Sequence, residues 1–79
     1  MDVKLKIGQR IKVLREKSVM SQKDLAYAAD LDRSYIASIE NGKRNVSIIN
    51  IEKIATALNV TLKDFFDDAE FDKYSTSSR

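Results

Sequence analysis

Seventy-nine residues make one small domain. A chain this short needs tight helix packing, a second copy, a metal or disulfides to be comfortably stable. With no cysteine and no histidine, disulfides, the usual zinc, haem and iron–sulfur ligand sets, and Ser-His-Asp or Cys-His catalysis are all excluded. Net charge is only +2 and the sequence pI about 9.0, which by itself neither demands nor rules out a nucleic-acid partner.

No cofactor and no metal is therefore expected, and an enzyme is disfavoured. The first six residues alternate charge with apolar side chains and contain no apolar leader segment. No run approaches the length of a membrane span, so a cytoplasmic location without membrane contact is expected. Ile, Leu, Val and Phe together number 22, enough to place the chain among those that fold. No proline and two glycines favour helices.

In chain order, Ile7, Ile11 and Leu14 recur at i, i+4 and i+7, which predicts an amphipathic helix over 4–17. Ser21 with Asp24 forms a capping-box pattern, and a second helix follows over 22–29. Asp32 opens a third helix, with Ile36 and Ile39 inward. It stops at Asn41-Gly42, where Gly42 supplies the left-handed residue that ends a helix without steric penalty. Ser47 caps a fourth helix whose buried face is expected to comprise Ile48, Ile51, Ile54, Ala55 and Leu58. Thr61 with Asp64 repeats the capping pattern for a short fifth helix through Phe65 and Phe66. These elements predict an all-α fold, a compact five-helix bundle. Residues 1–72 are expected to form a single domain, and 73–79 a polar, frayed tail.

The span 22–41 carries a particular pattern. Apolar residues fall at Leu25, Ala29, Leu31, Ile36 and Ile39. The small Ala26 stands where two steeply crossing helices leave little room, and Asp30 tolerates the left-handed conformation. This is the grammar of a helix-turn-helix, which presents its second helix to the major groove of DNA.

On Gln22-Lys23-Asp24-Leu25-Ala26 and Ile39-Glu40-Asn41-Gly42-Lys43-Arg44-Asn45, residues 7–66 resemble the XRE-type helix-turn-helix family of phage repressor and Cro proteins. Within it, Leu31-Asp32-Arg33-Ser34-Tyr35-Ile36 and Arg44-Asn45-Val46-Ser47-Ile48 resemble the controller proteins of restriction–modification systems. The resemblance implies that Gln22 fixes the second helix against a phosphate, at a helix end whose free N–H groups already suit an anion. It places Arg33 and Ser34 on the exposed first turn of the recognition helix, where an arginine can grip guanine O6 and N7. Tyr35, Ala37 and Ser38 lie beside them. Lys43, Arg44 and Asn45 would hold phosphates, which position the protein rather than specify sequence.

Bland readings stand beside these. Arg33 is alternatively a solvated cation, although the helix dipole disfavours a cation there. Tyr35 is alternatively a packing partner of Ile39, and Lys43-Arg44 an ordinary basic loop. The basic residues Lys4, Lys6, Arg10, Lys12, Arg15 and Lys17 read mainly as the solvated face of the first helix, with one or two phosphate contacts at most. The resemblance further implies a structural ion pair between Arg15 and Glu40. Where the family often has glycine between the first two helices this chain has Val19. A β-branched residue resists positive φ, so that turn is expected to take another route. Val46 stands where the family often has proline.

One recognition helix reads too few base pairs for useful specificity, so a homodimer on palindromic half-sites is expected. Its interface is assigned to Val46, Ile49 and Phe65, with Phe71 a further candidate and Ile49 the strongest; the alternative for Phe65 or Phe66 is that one of the two completes the monomer core. The acidic stretch from Asp64 to Asp72 lacks the glycine and glutamate of a calcium loop. It reads as a solvated helix end that repels DNA, or as a contact for RNA polymerase. The function implied is a dimeric transcriptional regulator, the controller of a restriction–modification system. Such a controller first activates and then, with a second dimer on the adjacent operator, represses its own gene and the endonuclease gene. The alternatives are a phage-type or sporulation-type repressor, and an antitoxin-like protein-interaction module.

Overall fold

A computed structural model describes residues 2–72; the tail expected at 73–79 lies outside the described residues. Among these, five α-helices follow one another: α1 (Val3–Lys17), α2 (Gln22–Ala29), α3 (Arg33–Glu40), α4 (Ile48–Ala57) and α5 (Leu62–Phe65), with a final 3-10 turn at Ala69–Asp72. No strand occurs among the described residues, and the fold class is all-helical as the sequence predicts.

Side-chain caps start most of these helices. The Asp2 carboxylate accepts from the Leu5 N–H (3.2 Å), Ser21 Oγ from Asp24 (3.0 Å), Ser47 Oγ from Asn50 (3.1 Å) and Thr61 Oγ1 from Asp64 (3.0 Å). At α2 the box is closed, because the Asp24 carboxylate accepts from the Ser21 N–H at 2.9 Å. Hydrogen bonding to the carboxylate from the Ser21 backbone N–H first, and from the Ser21 side chain second, holds the Asp24 carboxyl below its ordinary pKa.

The helix ends share one device. At Val19, Asp30, Gly42 and Asn59 the backbone is left-handed, with φ of 57°, 58°, 74° and 62°. Each of these residues donates to a carbonyl three residues back, and the residue after it reaches five back, as in Met20 to Arg15 and Lys43 to Ser38. This Schellman arrangement satisfies carbonyls that the helix leaves open. Asp30 and Gly42 adopt the left-handed state read from sequence. Val19 overturns the expectation that its turn would take another route. Its side chain is 90% exposed, so no neighbour is crowded, and Arg15 holds the turn in place by donating from Nη1 to the Met20 carbonyl at 2.8 Å.

The core draws on every helix: Ile11 and Leu14, Leu25, Ala26 and Ala29, Ile36 and Ile39, Ile51, Ile54, Ala55 and Leu58, and Phe65. Fully burying a Phe or Ile contributes roughly 1.5–3 kcal/mol, so Phe65 lets the four-residue α5 hold its place. Gly8 allows α1 to cross the end of α3: a Cβ there would overlap the Ile39 carbonyl oxygen and lie 2.9 Å from that of Glu40.

Two expectations about buried faces are corrected. Ile48 does not join the buried face of α4; it is 78% exposed, beside Ile49 at 69%. Ile48 is the first residue of the helix, a turn short of the core positions Ile51, Ile54 and Ala55. Phe65, assigned to the dimer interface, is instead completely buried in the monomer, and its neighbour Phe66 is the exposed one.

Candidate nucleic-acid interface

The recognition face is built on α3. Ile36, Ile39 and Glu40 turn inward, which leaves Arg33 and Ser34 exposed and Tyr35, Ala37 and Ser38 half-buried. Three- and four-residue spacing on a helix places Ser34 beside Ala37 and Ser38, and Arg33 beside Ala37. After the left-handed Gly42, the exposed Lys43, Arg44 and Asn45 continue this basic surface. No helix N-cap hydrogen bond is made by the Asp32 side chain, so α3 begins without the side-chain cap found at the other four helices.

Beneath this surface lies a buried polar node joining three helices. Arg15 on α1 meets Glu40 on α3 through two contacts, Nε to Oε2 at 2.7 Å and Nη2 to Oε1 at 3.1 Å. Gln22, at the start of α2, donates from Nε2 to Glu40 Oε1 at 3.1 Å. The hydrogen bonding that Arg15 donates to Glu40 raises the guanidinium pKa further above its ordinary value, outweighing the opposing effect of burial. Among the described residues no buried side-chain nitrogen or oxygen lacks a partner, which is the condition under which a buried ion pair is tolerated.

The sequence-assigned residues divide into three groups. Ser34, Tyr35 and Arg44 line one open groove, together with Asp30, Leu31, Asp32 and Asn50. Arg33, Ala37 and Ser38 share α3 with them, and Lys43 and Asn45 flank Arg44 in the chain. Gln22 is turned toward Glu40 and belongs to the polar node. Tyr35 does more than pack: its ring lies against the core, its hydroxyl accepts from Asn50 Nδ2 at 2.9 Å, and the Arg44 guanidinium stands 5.2 Å from the ring centroid.

Asn50, Asp30 and Asp32 were not assigned to the site from sequence. The available signal for Asn50 was its position, three residues after the capping Ser47, where a helix commonly carries a side chain that reaches back to its own cap.

On the opposite side, Arg10 departs from the solvated-face reading. It donates from Nε to the Phe65 carbonyl and from Nη2 to the Asp64 carbonyl, both at 2.7 Å. It also approaches Asp68 at 3.5 Å, while Lys6 pairs with Glu70 at 2.7 Å. The acidic stretch is thus fastened to α1, not a free helix end. Carbonyls left open at the end of a helix suit a cation, and Arg10 reaches them from across the fold.

A helix-turn-helix family profile matches residues 11–65. Control protein C.MunI from a Mycoplasma species is 51% identical over 70 residues, spanning 87% of this chain and 95% of that protein. The chain belongs to the controller proteins of the helix-turn-helix family. Solved controller structures share its fold. The restriction–modification controller C.AhdI from Aeromonas hydrophila superposes with a TM-score of 0.80 at 44% identity, covering 84% of this chain and all of that one. The controller C.Esp1396I, solved as a tetramer on its natural 35 base-pair operator, superposes at 0.78 with 41% identity, covering 81% of this chain and 84% of that one. Among the described residues of this controller-family chain, no helix is long and apolar enough to cross a membrane.

Proposed function

We propose that this controller protein is a cytoplasmic, sequence-specific DNA-binding regulator without catalytic activity, acting as a homodimer through a single domain over residues 1–72. It would bind palindromic operators upstream of its own gene in a restriction–modification locus. At low concentration a dimer activates that gene and the endonuclease gene; at higher concentration a second dimer alongside represses them. The observation that carries this reading is the 51% identity to C.MunI across most of both chains. The tetramer seen for C.Esp1396I on its operator supports the two-dimer arrangement.

In this reading Arg33 and Ser34 read base edges, Tyr35, Ala37 and Ser38 contribute beside them, and Lys43, Arg44 and Asn45 hold phosphates. Gln22 borders the phosphate at the start of α2 while its amide steadies Glu40. The interface joins Ile49 and Val46 with the neighbouring Ile48. RNA polymerase is a further partner for the activating state.

Binding to a fragment from upstream of the gene, measured over a salt series, tests the reading. Affinity is expected to fall with a log–log slope of about −0.9 per phosphate neutralised. Arg33→Ala is expected to weaken that fragment by about 1–3 kcal/mol and random DNA much less. A flat salt dependence would favour an antitoxin-like protein-interaction module instead.

A further inference from the structure

Asn50 occupies the third position of α4, and its backbone N–H is already satisfied by the capping Ser47 hydroxyl at 3.1 Å. At the equivalent position of α2 the Asp24 side chain turns back to its own cap. Asn50 does not: its amide crosses to α3 and donates to the Tyr35 hydroxyl at 2.9 Å. A neutral phenol that accepts in this way keeps its own proton available for donation. The same ring carries the Arg44 guanidinium on its face, 5.2 Å from the centroid. That contact uses the cation's charge and none of its N–H donors. All three side chains line the groove beside the exposed start of α3.

We infer that Asn50 is a positioning residue for DNA recognition: it fixes the Tyr35 ring beneath Arg44 and commits the Tyr35 proton to an acceptor on the DNA. The inference rests on the DNA-binding reading above. The relay has a direction. Asn50 donates to Tyr35, Tyr35 donates outward, and its ring holds the arginine fork ready for a phosphate or a base edge. Ordering a long arginine before binding removes part of the entropy lost when it is immobilised on DNA. Phosphate oxygens, guanine O6 and N7, and thymine O4 all accept such a proton; the cytosine amino group does not.

The test is a double-mutant cycle on the full chain, with binding to the upstream fragment as readout. Asn50→Ala and Tyr35→Phe are each expected to weaken binding about tenfold, and the double variant to lose no more than either single one. Arg44→Ala combined with Asn50→Ala is likewise expected to lose less than the product of the two. Melting temperatures and helical circular dichroism of Asn50→Ala should match the parent, which separates positioning from folding. Unchanged affinity in Asn50→Ala, or losses that multiply in the Asn50–Tyr35 pair, would overturn the inference. Should Asn50→Ala melt early, Tyr35→Phe decides: full affinity there overturns the relay. Failure of the parent to bind the fragment at any salt would strike the DNA-binding reading itself, a separate outcome.

Discussion

The most consequential single residue is Glu40, because three elements converge on its carboxylate. Arg15 and Gln22 both donate to it, and it is the last residue of α3. Replacing it with alanine strands the Arg15 guanidinium with only the Met20 carbonyl. Removing one member of a buried pair costs about 3–5 kcal/mol. In a domain of this size each kcal/mol moves the melting temperature by roughly 4–8 °C. Glu40→Ala is expected to melt more than about 10 °C below the parent, and Glu40→Gln, which keeps an acceptor toward Arg15, to lose less. An unchanged melting temperature in the alanine variant would contradict the structural role of the pair. The partnership of residues 25 apart in the chain came from family resemblance, since no local pattern announces it. Gln22 was assigned to a phosphate for the same reason. Its hydrogen bond to Glu40 was not legible, because it depends on how α2 lies across α3.

At the scale of elements, capping chemistry carried most of the sequence reading. Ser21, Ser47 and Thr61 each stand at the start of a helix, as their patterns indicate. The helix ends were half legible. Gly42 and Asp30 are residue types that accept a left-handed backbone, and both do. Val19 is not, yet the Schellman ending of α1 and the Arg15 clamp on Met20 impose that state on it. Tertiary context thus overrides local preference at a position whose exposed side chain has nothing to collide with. A left-handed L-residue costs roughly 1–2 kcal/mol, and glycine gives back part of that gain through a more flexible unfolded chain. Val19→Gly is therefore expected to raise the melting temperature by a few degrees, read by thermal circular dichroism. A lowered melting temperature would mean that the Val19 side chain has a packing role the fold does not show. Phe65 and Phe66 illustrate the complementary limit. Two adjacent phenylalanines announce that one is buried, but only the approach of α5 to the core decides which.

Over the whole molecule the charges are sorted by face. The basic groups following α3 stay exposed, whereas Lys6 and Arg10 are occupied by the acidic segment. Net charge alone could not reveal that Lys6 and Arg10 are tied across the fold to the acidic segment. Among the described residues, two adjacent isoleucines at the start of α4 stay uncovered, 78% and 69% accessible. Clustered exposed apolar side chains mark interfaces. Ile49→Asp is expected to give a folded monomer by sedimentation, with binding to a full palindrome weakened far more than binding to a half-site. A variant that remains dimeric would remove Ile49 from the interface.

The central claim, a dimeric controller that reads DNA upstream of its own gene, is tested most directly by footprinting that DNA over a protein concentration series. The account predicts one protected palindrome, with half-sites about 34–36 Å apart, followed at higher protein by an adjacent one. A single protected site overlapping the promoter would favour a plain repressor of the phage or sporulation type. No protection at any concentration in low salt would contradict the account.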